Sequence, residues 1–190
     1  MRKALIIGIL GIFGTLGWTS CRNSTPYVYH GLPKEYNVAW EEIYGQAYDS
    51  IPHSVVAIDL YSEGLDLDEN HRMRGTGYNL YISDIFVPET HGQDTLRLVP
   101  GKYHSERTGL PFTFLPGKDW DGQPTGIYVL YVAEGKLQSI QVMDSGYLVV
   151  TDTTNHLKDL QFTLYYKNAY GSRATYKPHF QGFIFPWQKR

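Results

Sequence analysis

Between Gly126 and Tyr166 the apolar residues arrive in four short runs, GIYVLYV, LQSIQVM, YLVV and LQFTLYY, separated by Glu134-Gly135, Asp144-Ser145-Gly146 and Thr153 to His156. Runs of this length, bounded by residues that accept left-handed backbone, predict strands folded back as antiparallel hairpins, a β-meander. In the last run Leu160, Phe162, Leu164 and Tyr166 alternate with Gln161, Thr163 and Tyr165, so one face is apolar and the other polar. GIYVLYV is different: Tyr128, Leu130 and Val132 on one face and Ile127, Val129 and Tyr131 on the other both need cover. That predicts a place near the middle of the architecture.

The same period of two recurs upstream. Val56, Ile58 and Leu60 alternate with Asp59 and Tyr61, and Tyr78, Leu80 and Ile82 alternate with Asn79, Tyr81 and Ser83. Each reads as a strand with one side free to meet water or a ligand. Residues 35–50 are ambiguous, since Ala39, Ile43 and Ala47 share a helical face, but the aromatic content and Gly45 favour an extended element. Runs such as TLRLV and PFTFL are cut by Pro100-Gly101, Pro116-Gly117 and Asp121-Gly122, too short for helices and typical of turns between strands. Arg173 to Phe185 supplies a further strand, with Pro178 marking a bulge or edge. About eight to ten strands result, at the spacing of an all-β domain. The fold class is an antiparallel β-sandwich or calycin-like barrel, and the two-sided burial of GIYVLYV favours the sandwich.

The first residues change the picture. Arg2 and Lys3 precede an uncharged apolar run from Ala4 to Trp18 that ends in Thr19, Ser20 and Cys21. The run is short of the 20 or so residues of a membrane span and matches an export signal. Cys21 is the single cysteine of the chain, so no internal disulfide can form. The tract resembles a bacterial lipoprotein signal, in which the cysteine is lipidated and begins the mature chain; Trp18 stands where that pattern usually has Leu. The expected organisation is a signal peptide over 1–20, a tether over 21–35 rich in Asn, Ser, Thr, Pro and Gly, and one β-domain over 36–190. Without Arg2 and Lys3 the chain keeps 15 basic residues against 19 acidic, a formal charge of −4. That balance gives no reason to bind nucleic acid or acidic headgroups, and leaves lipid as the membrane attachment.

Lined up together, SIPHSVVAIDLYSEGL, GTGYNLYISDIFVP, LPGK, GIYVLYV, SGYLVV and ATY…FQG resemble an uncharacterised group of Bacteroidetes lipoproteins over most of residues 44–185. That resemblance implies a cell-envelope β-domain and carries no activity or functional residue with it. Arg22 to Pro26 lacks the acidic run that often marks surface export in such lipoproteins, so an outer-membrane position facing the periplasm is implied.

Chemistry is sparse. Asp66, Asp68 and Asn70 have the spacing of the first ligands of a calcium loop, but His71 and Gly77 stand where Gly and Glu are required. The seven histidines, among them His53, His104 and His179, show no metal-binding spacing, and Glu41 and Glu42 are adjacent, hence on opposite faces of a strand. No nucleophile elbow occurs. No catalytic residue, metal or cofactor is expected, and an enzyme is the least favoured class. The loop from Gly117 to Gly122 sets Trp120 between Asp119 and Asp121, a group able to stack on a sugar ring and accept its hydroxyl bonds, or alternatively a Trp that folds over the sheet edge. With 16 Tyr in the chain from Cys21 onward, the domain is expected to be a binding module for a small molecule, glycan or peptide. The alternative is a structural or assembly accessory of the outer membrane that offers faces such as Tyr81 and Tyr165 to another envelope protein.

Overall fold

The computed structural model describes residues 31–49, 53–88, 97–121, 123–153 and 157–187. The expected signal peptide, Cys21 and most of the expected tether lie outside these residues. From Leu32 onward the chain forms one compact unit. Among the described residues it is all-β, with strands β1 (Glu35–Tyr36), β2 (Val38–Gly45), β3 (Ser54–Tyr61), β4 (Leu65–Leu67), β5 (Met73–Gly75), β6 (Gly77–Val87), β7 (Gly101–Ser105), β8 (Thr113–Phe114) and β9 (Lys118–Trp120). There follow β10 (Gln123–Thr125), β11 (Ile127–Ala133), β12 (Lys136–Val142), β13 (Ser145–Asp152), β14 (Lys158–Lys167), β15 (Arg173–Tyr176), β16 (His179–Gly182) and β17 (Ile184–Trp187). The segment 35–45 is extended, as its aromatic content indicates.

Thirteen strands make one mixed sheet in the order β1-β16-β14-β13-β7-β8-β6-β3-β2-β17, with β11 and β12 attached beside β6 and β15 beside β14. The count exceeds the sequence expectation because single runs are interrupted: Asn37 separates β1 from β2, and Phe183 separates β16 from β17. β1 pairs with β16 and β2 with β17, both in parallel, so the sheet curls round until its first and last segments meet along one seam. The β7/β8 ladder is also parallel. These three ladders correct the expectation of wholly antiparallel pairing. No tight turn joins the strands concerned, so nothing in the local sequence imposes antiparallel order.

The meander is likewise corrected to two separate hairpins. β11 pairs with β12 and β13 with β14, but β12 and β13 do not pair; β13 lies against β7 instead. The chain crosses over at Met143, whose side chain is fully buried and whose N–H donates to the Ile127 carbonyl. β11 is consequently one strand in from an edge, between β6 and β12. At the Glu134-Gly135 turn both residues have positive φ, 53° and 71°, the primed geometry that matches the twist of a hairpin. Pro178 falls in the gap between β15 and β16, where both strands have β14 as partner.

Inside the curl lies one core built from alternate residues, including Ile58, Leu60, Leu80, Ile82, Leu160 and Phe180. β6 serves both halves of the sheet because it bends. Asp84 takes φ 53°, and the β3/β6 register slips between Ile58↔Ile82 and Val56↔Ile85, so Gly77–Ile82 runs beside β11 while Ile85 and Phe86 run beside β8. The outer side of β3 and β6 is less open than alternation suggests. A small second cluster forms there, with Tyr61, Leu65 and Val132 buried and Val38, Trp40, Leu67, Met73 and Leu130 packed on them, under the β4–β5 hairpin. Asp68, a residue of the rejected calcium spacing, ties the turn of that hairpin by accepting from the N–H groups of Asn70 and Arg72.

Candidate functional site

Strand register assembles the candidate site. Phe185 on β17 pairs with Trp40 on β2, Trp40 with Asp59 on β3, Asp59 with Tyr81 on β6, Tyr81 with Tyr128 on β11, and Tyr128 with Val142 on β12. Directly paired residues share a face, so these six side chains form one row across six adjacent strands, on the side opposite the core. At about 4.8 Å between strands the row is roughly 24 Å long. Ring pairs sit at both ends, with centroids 5.3 Å apart for Trp40 and Phe185 and 5.1 Å for Tyr81 and Tyr128. A single carboxylate, Asp59, stands between them.

The β4–β5 hairpin packs over one flank of the row through Trp40, Tyr61 and Leu130. On the other flank Glu42 and Tyr44 project from β2. The Tyr44 hydroxyl donates to Glu42 Oε2 at 2.8 Å and lies 3.5 Å from the Tyr81 hydroxyl. Asn79, only 1 % exposed, donates from Nδ2 to Asp59 Oδ1 at 3.0 Å and to the Leu60 carbonyl at 3.3 Å. Tyr61 adds a hydroxyl bond to Asp59. Trp40 Nε1 is buried with no hydrogen-bond partner among the described residues.

Burial governs the electrostatics. It raises the Asp59 carboxyl to about 6, and the negative field of Glu42 pushes the same way against the bonds from Asn79 and Tyr61. The phenols of Tyr61, Tyr81 and Tyr128 are all held far above their ordinary value, first by burial and then by Asp59 for Tyr61, by the Tyr44 hydroxyl for Tyr81 and by the Tyr81 phenol for Tyr128. Tyr44 is pushed up to about 12 for the same leading reason. At neutral pH the row is therefore a set of neutral phenols around an ionised carboxylate with neutral hydrogen-bond partners. Such a surface can accept hydrogen bonds, stack on flat groups and attract positive charge.

Other polar clusters hold the fold. Glu41, opposite in facing to Glu42 and 1 % exposed, accepts from Arg97 Nε at 2.8 Å and the Leu98 N–H at 2.5 Å, while Arg97 also donates to the Ile184 carbonyl. This pins the turn 97–100, read from sequence as part of a strand run, across the sheet. His179 joins β1, β16 and β14 by lying 2.9 Å from Glu35 and 3.0 Å from Asp159, and the two carboxylates hold its pKa above the usual range, Glu35 foremost. Among the described residues no group of three His, Cys, Asp or Glu could hold a metal ion.

Trp120 lies on the separate β9–β10 hairpin and is 59 % exposed, with Lys118 Nζ 3.3 Å from its ring centroid. It does not fold over the sheet edge. Asp119 and Asp121 are exposed too, but Asp119 precedes Trp120 on the strand and so projects to the opposite face. None of the three belongs to the strand register that builds the tyrosine row. Alternation alone puts Asp59 and Tyr81 on outward faces and asks for cover on both faces of Tyr128's strand; the pairing that joins the three is not visible in it.

Comparison with protein-family models, curated proteins and solved structures finds no match to this chain.

Proposed function

We propose that this chain is a lipid-anchored binding module of the cell envelope that holds an extended ligand, a small molecule, glycan or peptide, along the row from Phe185 to Val142. The carrying observation is the register itself, which lines four aromatic rings and one carboxylate across five adjacent strands, with Val142 on a sixth. Rings at the ends supply apolar contact at low entropic cost, and the polar groups between them fix orientation. Half-buried positions on a sheet flank make a pre-formed platform, so little ordering is spent on binding. Cys21 supplies the anchor in this reading, with the outer membrane, periplasmic side, as the position.

The test is a titration of the full chain in detergent with soluble oligosaccharides and short peptides, read by amide chemical shifts. Saturable shifts confined to residues of the row, lost in Tyr81→Ala and Tyr128→Ala, are the expected result. Ligand shifts that survive both substitutions would remove the row from the binding surface. An accessory role toward another envelope protein is the second reading, favoured by the exposed Leu137 and Ile140 on edge strand β12 and by exposed Phe183.

A further inference from the structure

Resting on that reading, the row's chemistry narrows the ligand. Asp59 lies between Trp40 and Tyr81 in the row, and among the described residues the groups that act most on it are the Asn79 amide, the carboxylate of Glu42 and the Tyr61 phenol. None of these is positive. A neutral ligand laid over the row would strip remaining water from an ionised carboxylate and return only neutral hydrogen bonds, leaving the charge itself uncompensated. A cation would supply the missing counter-charge, and the faces of Tyr81 and Tyr128 add the attraction of ring quadrupoles for positive charge.

We propose that the row binds an ammonium or guanidinium group, seated at the Tyr81–Tyr128 ring pair with Asp59 as its counter-ion and Glu42 contributing at longer range. The groups facing the cation are Glu42 and Tyr44 from β2, Asp59 and Tyr61 from β3, Asn79 and Tyr81 from β6, and Tyr128 from β11. Of these only the two carboxylates carry charge near neutrality. Binding is therefore tied to the protonation of Asp59. A bound cation favours the carboxylate, so affinity is full above its titration range near 6 and declines as pH falls through it. The charged group has two sources, a free quaternary amine or a basic side chain of a peptide.

The experiment titrates the full chain with tetramethylammonium, with a capped lysine tripeptide and with a neutral oligosaccharide, following amide shifts of Asp59, Tyr81 and Tyr128. Both cations should move these signals saturably, and a large preference for the tripeptide identifies a peptide source. Affinity should fall roughly tenfold in Asp59→Asn, the loss of one partly buried charge pair, and also on acidification of the wild type from about pH 8 to about pH 5. Asp59→Glu, which keeps the charge, should retain part of it. If the oligosaccharide alone shifts the row, with no dependence on pH, the cation inference is overturned while the binding surface stands. If no probe shifts the row, both fall.

Discussion

Replacing Asp59 by Asn should make the protein more stable at neutral pH. In the folded chain the carboxyl titrates at about 6, against an ordinary Asp value near 3.9. Its folded pKa is raised, so the native state holds more protons than the unfolded state between those values, and stability falls as pH rises through that window. Above it the full penalty is present. A separation of about two pH units corresponds to roughly 3 kcal/mol at about 1.36 kcal/mol per unit. Asn keeps an oxygen to accept from the Asn79 amide but loses the second oxygen, which costs on the order of 1 kcal/mol in hydrogen bonding. A net gain of about 1 to 2 kcal/mol remains at about pH 8, shrinking to zero or below at about pH 4. Urea denaturation of both proteins at the two pH values measures it directly. A variant less stable than wild type at the higher pH, or a difference that does not change with pH, would refute the assignment of Asp59 as an ion held at a cost. Greater stability together with lost cation affinity is the combination expected of a carboxylate kept for binding rather than folding.

Further outcomes follow from other residues. Gly135→Val should destabilise by about 1 kcal/mol or more, since φ there is 71° and a Cβ would meet the Met73 carbonyl oxygen at 3.0 Å; an unchanged urea midpoint would contradict the primed turn. Trp120→Ala should leave the melting temperature nearly unchanged, within about 0.5 kcal/mol, because the indole is mostly in solvent. His179→Gln should lose stability at low pH and match wild type in mild alkali: with a raised folded pKa, the bridge to Glu35 and Asp159 acts below the unfolded His value near 6.5 and disappears as pH rises through the folded one. Wild type should partition into detergent phase and Cys21→Ala should not; equal partitioning would remove the lipid anchor.

Strand identity was legible because alternation is local. Val56-Ile58-Leu60 and Tyr78-Leu80-Ile82 announce core faces without reference to any partner, and all six are buried. Glu134-Gly135 announces its turn for the same reason. What lay beyond reach were contacts fixed at long range. Nothing near Leu137 or Tyr147 indicates that β12 stays at an edge while β13 crosses to β7; the buried Met143 that turns the chain is an ordinary apolar residue in the sequence. The row was missed in the same way. Asp59 and Tyr81 are 22 positions apart, and Phe185 enters only through the parallel seam. Trp120, by contrast, drew notice because its neighbours in sequence are acidic, yet alternation sends Asp119 to the other side.

The parallel seam has a consequence for how the chain is made. β1 and β2 near the beginning find their partners, β16 and β17, only in the last dozen described residues. Contacts of such sequence separation form slowly and late. During synthesis the sheet cannot be completed until residues 179–187 have been made, so the edge of β2 that meets β17 and the stretch of β14 that meets β16 stay unpaired until then. The architecture thus makes the arrival of Ile184 to Trp187 the event that seals the sheet.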